Sequence, residues 1–148
     1  ASLLGALDMK PGDRVLEIGT GSGYVSALLA AMGGAVVSLE RYRTLALAAQ
    51  ERLAGSGFGR AVALHHADGF RPDRALGSFD RILLNGVTDS VPEVLLARLA
   101  PGGRLVGAMR IDGVARRVLL VNGETGFDHA LGPPIRLPPL APGLAAAL

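Results

Sequence analysis

The sequence predicts an α/β fold, a mostly parallel sheet between helices that closes with an antiparallel hairpin at its C-terminal end. Two observations carry that expectation. Short apolar runs of strand length alternate with segments of helical period as far as Leu99, with glycine- or proline-bearing turns between them. Beyond that point, two further extended runs follow each other with no helical period in between. Strands separated by helices cross over and pair in parallel, whereas strands joined by a short turn pair antiparallel.

Taken in order, Arg14–Gly19 is a short apolar strand introduced by the turn Lys10-Pro11-Gly12-Asp13. Tyr24–Met32 reads as a helix with Val25, Leu28, Leu29 and Met32 on its inner face, and Gly33-Gly34 ends it. Ala35–Glu40 is the second strand, followed by a helix over Thr44–Ala54 that Gly55-Ser56-Gly57 closes. Val62–Ala67 and Phe79–Asn85 are the third and fourth strands. Val91–Leu99 is a helix with Pro92 in its first turn, where a missing N–H does no harm. Pro101-Gly102-Gly103 turns the chain into a fifth strand over Arg104–Ala108, and Ala115–Val121 and Phe127–Leu131 form the hairpin. The tail, residues 133–148, holds five prolines between Pro133 and Pro142 and reads as an extended strap over the surface.

The 148 residues, 49% hydrophobic and 19% charged, suit one domain over 1–148 with a packed core rather than a disordered chain. There is no cysteine, which excludes disulfides and thiolate metal sites and fits a cytoplasmic setting. No apolar run approaches the ~20 residues that cross a bilayer, so no membrane partner is expected. The net charge is only +2, the arginines are scattered and aromatics make up 4%, which argues against a nucleic-acid partner. His65 and His66 are neighbours on a strand and point to opposite faces, so no metal site is expected.

The chemistry concentrates in Glu17-Ile18-Gly19-Thr20-Gly21-Ser22-Gly23-Tyr24, between the first strand and the first long helix. In an open parallel sheet ligands bind at the carboxyl ends of the strands, where a glycine loop lets them approach the main chain. Glu40 ends the second strand, where an acid can accept hydrogen bonds from both hydroxyls of a ribose. A dinucleotide site would share that acid. It would, however, want a small residue where Tyr24 stands, and Glu17 would face and repel its pyrophosphate. A cofactor carrying a sulfonium and an ammonium group tolerates Glu17, which selects S-adenosyl-L-methionine. Asp68 and Gly69 end the third strand; Asp68 can accept from an adenine amino group or act as a helix N-cap. The expected cofactor set is Glu17, Gly19, Thr20, Gly21, Ser22, Gly23, Tyr24, Glu40, Arg41, Asp68, Gly69 and Asn85. Ser22 can bond the cofactor carboxylate or cap the helix, and Tyr24 can line the methionine pocket or simply open the helix. Asn85 and Thr88 are candidates to orient a substrate carboxylate, or else a loop that satisfies its own backbone.

Asp13–Tyr24 resembles the cofactor motif of the protein-L-isoaspartate O-methyltransferases. The likeness continues through Val37–Glu40, Ala67–Gly69, Phe79-Asp80, Val91–Leu96 and Leu99–Val106, roughly residues 3–110. The resemblance implies a Rossmann-like fold and methyl transfer from S-adenosyl-L-methionine to the free carboxylate of isoaspartyl residues in damaged proteins, a repair reaction. Such a carboxylate is already ionised at pH 7, so no general base is required. Two departures stand out. The family's N-terminal region with its serine-bearing substrate loop is missing here, so Ala1-Ser2-Leu3-Leu4 reads as the end of a longer helix in a truncated chain. Leu84–Ser90 also lacks the family's alanine-rich, proline-containing loop, as in a divergent bacterial branch. Two alternatives remain beside this reading: a methyltransferase for another small molecule or protein group, and a cofactor-binding module without catalysis.

Overall fold

The computed structural model describes residues 2–146; positions 1, 147 and 148, the last two belonging to the predicted tail, lie outside the described residues. Seven strands form one sheet in the order β3-β2-β1-β4-β5-β6-β7. They are β1 (Arg14–Ile18), β2 (Ala35–Glu40), β3 (Val62–His66), β4 (Phe79–Thr88), β5 (Leu99–Ile111), β6 (Val114–Gly123) and β7 (Gly126–Pro134). The first five pair in parallel, and β6 and β7 add antiparallel, as the change of pattern along the sequence predicts.

The buried apolar residues alternate along the strands and so divide between two faces. Val15, Val36, Leu83 and Val106 meet Leu3, Leu7, Leu29 and Leu53 from the helices α1 (Ser2–Leu7), α2 (Tyr24–Ala31) and α3 (Arg43–Gly55). Leu16, Ile82, Leu84 and Leu105 look the other way, onto Phe79, Leu95 and Leu99. That second face has a thinner cover than a doubly wound sheet leads one to expect. Its helical parts are α4 (Glu93–Leu96) and a single 3₁₀ turn, Arg74–Leu76. The helix predicted over Val91–Leu99 is therefore shorter: Pro92 is its N-cap, and Leu99 already pairs with Phe79 as strand.

Three further differences position the site. Pro101-Gly102-Gly103 does not precede β5 but bulges out of it, since Phe79 pairs with Leu99 and Arg81 with Arg104. β4 runs on past Asn85, bulging between Leu83 and Val87, so Asn85 and Thr88 belong to a strand rather than to a loop. Along α2 the inward residues are Ser26 and Leu29, whereas Met32 is exposed, so the helix is rotated from its predicted face. A polar neighbour explains the rotation: Glu17 on β1 receives Ser26.

Candidate active site

β1 occupies the middle of the parallel part, with β2 on one side and β4 on the other, so the chain's winding reverses there. At such a switch point the loops diverge and leave a crevice beyond the carboxyl ends of the strands. Gly19 follows β1 directly. Its N–H donates to the Leu39 carbonyl at 2.9 Å, and its φ of +94° is a conformation that favours glycine. From there the backbone folds over the end of β1, and the Gly21 N–H donates to Glu40 Oε2 at 2.9 Å. Glu40 Oε1 accepts from the Tyr42 N–H at 3.1 Å. The carboxylate at the end of β2 thus pins the glycine loop to the start of α3. Each of its oxygens keeps a lone pair for a further donor.

The crevice is a cavity of about 350 Å³, within the range of small-molecule sites. Ile18, Leu39 and Leu45 give it apolar walls, while Glu40, Arg41 and Asn85 bring polar groups to it. Asn85 is aimed by the bulge in β4, and its amide Nδ2 donates to the Gly19 carbonyl at 3.2 Å. Pro138, Pro139, Leu140 and Ala141 form the remaining wall. Pro133 and Pro134 of the predicted strap end β7, whereas residues 135–146 run on without a helix and form a strap along this wall. It is tied at both ends. The Val87 N–H donates to the Pro138 carbonyl and the Leu140 N–H to the Val87 carbonyl, each at 2.8 Å. Beyond the cavity the Ala145 N–H donates to the Arg41 carbonyl and the Arg43 N–H to the Ala145 carbonyl, each at 2.9 Å. Leu140 lies against Gly19 and Gly86, and a Cβ at position 86 would come within 2.6 Å of Leu140 Cγ. Gly86 is what admits the strap to this position.

Of the residues expected to contact a cofactor, the structure gathers Gly19, Gly21, Glu40, Arg41, Gly69 and Asn85 around the cavity. Glu17 and Thr20 lie beneath the loop, 0% and 2% exposed, and do not reach the cavity wall. Ser22 accepts from the Tyr24 N–H at 3.3 Å, while Tyr24 opens α2 with its side chain 69% exposed. Neither lines the cavity, and Gly23 packs against Ala49 and Leu53 of α3. Asp68 Oδ1 accepts from the Phe70 N–H at 2.9 Å, closing a turn rather than capping a helix. Thr88 is buried with its hydroxyl on the Ser90 carbonyl at 2.7 Å, so it satisfies its own turn. The expected set lacked Ile18, Leu39, Tyr42, Leu45 and the strap residues; the apolar Leu140 amid prolines was the available signal for the strap.

Glu17 has a different task from the one its place in the motif suggests. The β1–β2 register sets it beside Ser38, whose Oγ donates to Glu17 Oε1 at 2.7 Å. Ser26 Oγ donates to the same oxygen from α2 above, and Thr20 and Ser38 share a hydrogen bond of 2.6 Å. Glu17 Oε2 is buried without a partner among the described residues. Burial pushes the carboxyl up to a pKa of about 7, and the nearby Glu40 adds to the rise. The two serine hydroxyls pull in the opposite direction and do not offset the loss of water.

A mostly parallel sheet with antiparallel closing strands, and a glycine loop facing an acid at the end of β2, define a Rossmann-like nucleotide-cofactor fold of the methyltransferase type. The solved structures it resembles agree at the level of fold. One is a protein-L-isoaspartate O-methyltransferase with a TM-score of 0.87, at 24% identity over 97% of this chain and 46% of that one. Another is a Plasmodium falciparum protein assigned as a beta-aspartate methyltransferase, solved with S-adenosyl-L-homocysteine. It has a TM-score of 0.82 and 22% identity over 95% of this chain and 70% of that one. The family model described as protein-L-isoaspartate(D-aspartate) O-methyltransferase matches residues 1–122, and the chain belongs to that family. Protein-L-isoaspartate O-methyltransferases are its relatives in Methylorubrum populi, 39% identical over 99% of this chain, and Ectopseudomonas mendocina, 41% identical over 90%. The chain spans 69% and 63% of the lengths of those two relatives. None of its described helices is long and apolar enough to cross a membrane.

Proposed function

We propose that this chain supplies the cofactor-binding and methyl-transfer part of a protein-L-isoaspartate O-methyltransferase, with S-adenosyl-L-methionine as the methyl donor. The observation that carries the reading is the Glu40 carboxylate, fixed by the Gly21 and Tyr42 N–H groups and set in the cavity wall. Its spare lone pairs suit the two hydroxyls of a ribose. Ile18, Leu39 and Leu140 offer apolar surfaces for a flat base, and Gly19 and Gly21 leave the backbone open to close approach. Asn85 spends its Nδ2 on Gly19, which leaves its carbonyl oxygen as an acceptor for an ammonium group. When bound, the cofactor supplies an electrophilic methyl group on a sulfonium. The chain's residues hold that group, and the strap shields it from water; no base is asked of them, because the acceptor carboxylate is already ionised.

The test is methyl transfer from labelled S-adenosyl-L-methionine to an isoaspartyl peptide and to its aspartyl twin. Label on the isoaspartyl peptide alone is the expected outcome. Label on neither, with cofactor binding intact by calorimetry, overturns the acceptor; binding unchanged in Glu40→Ala overturns the ribose assignment. The expected loss in that variant is at least about tenfold, as for hydrogen bonds to a charged group.

A further inference from the structure

A second cavity, of about 500 Å³, is lined by Pro134–Leu137, the stretch of the chain that precedes Pro138. Val87, Ile135 and Leu137 give it an apolar floor, and Arg110 and Arg136 stand on its walls. Val87 holds the two hydrogen bonds that fasten the strap at Pro138 and Leu140. Successive stretches of the chain thus line the two sites, Pro134–Leu137 this groove and Pro138–Ala141 the cofactor cavity. Val87 near the end of β4 and Arg110 near the end of β5 set the groove, like the cofactor cavity, at the carboxyl ends of the parallel strands.

The charges in the groove are unbalanced. Arg136 is exposed and has no hydrogen-bond or ion-pair partner among the described residues. Arg110 pairs at 2.9 Å with Asp89, whose side chain is 84% exposed. Arg117 follows Ala115, a lining residue, on the same face of β6, and its Nε is buried without an acceptor among the described residues. Asp112, in the turn after β5, is exposed and pairs with none of these arginines. An apolar floor between guanidinium groups suits an extended polypeptide with carboxylates among its side chains, because each guanidinium can take a carboxylate in a two-pronged bond. We propose that this groove binds the acidic flank of the polypeptide whose carboxylate is presented to the cofactor cavity. The chain then prefers methyl acceptors with Asp or Glu beside the modified residue. This inference rests on the function proposed above for the acceptor.

Two isoaspartyl peptides that differ only in having Glu or Gln beside the isoaspartyl residue provide the test. Their binding to the full chain is read by fluorescence anisotropy in the presence of S-adenosyl-L-homocysteine, and their methylation is read alongside. The Glu peptide is expected to bind about fivefold tighter at low salt, an advantage that shrinks at 0.5 M salt. Arg136→Gln is expected to erase most of that preference, and Arg136→Lys to keep part of it. If Arg136→Gln also weakens cofactor binding, the strap has shifted, and Arg110→Gln carries the comparison instead. Equal binding of the two peptides, or a preference that survives both glutamine variants, overturns the groove. So does tighter, Arg136-dependent binding of an oligonucleotide. Methylation of both peptides without preference leaves the proposed activity standing and removes the groove. Arg136-dependent binding of the acidic peptide without methylation keeps the groove and removes the acceptor.

Discussion

Glu17 stands on a central strand with a carboxyl group that no water reaches, and two serine hydroxyls share one of its oxygens while the other has no partner among the described residues. An ionised carboxylate in that place forgoes its hydration, and the pKa rises from 4.5 to about 7 as a result. The consequence for stability follows from proton linkage. Below pH 4.5 the group is protonated whether the chain is folded or not, and it costs nothing. Between pH 4.5 and 7 the unfolded chain loses the proton and the folded chain keeps it, so stability declines. Above pH 7 the decline levels off at roughly 3 kcal/mol. Glu17→Gln cannot ionise, and its amide oxygen still accepts from Ser26 and Ser38. Thermal melts from pH 5 to 8 are expected to show the variant gaining on the parent as pH rises; parallel curves would mean that Glu17 does not hold its proton. Sequence showed the acid at this position, but not what lies over it. Alternation along β1 puts Glu17 on the face opposite Leu16 and Ile18, and only the packing of α2 brings Ser26 down onto that face.

At the scale of elements, the parallel strands and the existence of α2 and α3 were legible from apolar runs and from the glycines that close both helices. The differences, the inward face of α2 among them, fall where tertiary contacts override local chemistry. Asn85-Gly86 is turn chemistry by composition, yet β4 continues through it. β5 pairs with its far end on one side and the strap on the other, and both supply partners for backbone groups that a turn would have left to water. In the same way five prolines forbid a helix or a central strand over the tail, and say nothing about which surface it crosses. Leu140 is the point at which the strap grips the core, set against Gly19 and Gly86 and half-buried in the cavity wall. Leu140→Ala removes that contact and leaves the backbone ties at Val87 in place. Cofactor binding is expected to weaken by about 1–2 kcal/mol, or some five- to thirtyfold, chiefly through faster release. Calorimetry with S-adenosyl-L-homocysteine reads the affinity and stopped-flow displacement the rate. An unchanged affinity would show that the strap covers the cavity without touching what binds in it.

Across the whole molecule, the cavity is assembled from the ends of β1, β2 and β4, the turn at Gly69 and a strap more than a hundred residues from Gly19. A ligand seated there touches segments that the unfolded chain leaves far apart, so its binding energy belongs almost wholly to the folded state. S-adenosyl-L-homocysteine at a hundred times its Kd is therefore expected to add about 2.7 kcal/mol. For a chain of this length that raises Tm by about 5–10 °C. NADH at the same concentration is expected to leave Tm unchanged, because Tyr24 opens α2 at the place where a dinucleotide loop wants a small residue. An equal shift with NADH would reverse the choice of cofactor made from Tyr24 and Glu17. Hydrogen exchange separates a global effect from a local one. The Val87 and Leu140 amides, bonded between strand and strap, exchange only when the strap lifts. If the ligand slows exchange at those two amides far more than at the amides of the central β1, the strap opens independently of the sheet. If the amides of the central β1 slow along with them, ligand, strap and sheet unfold as one unit.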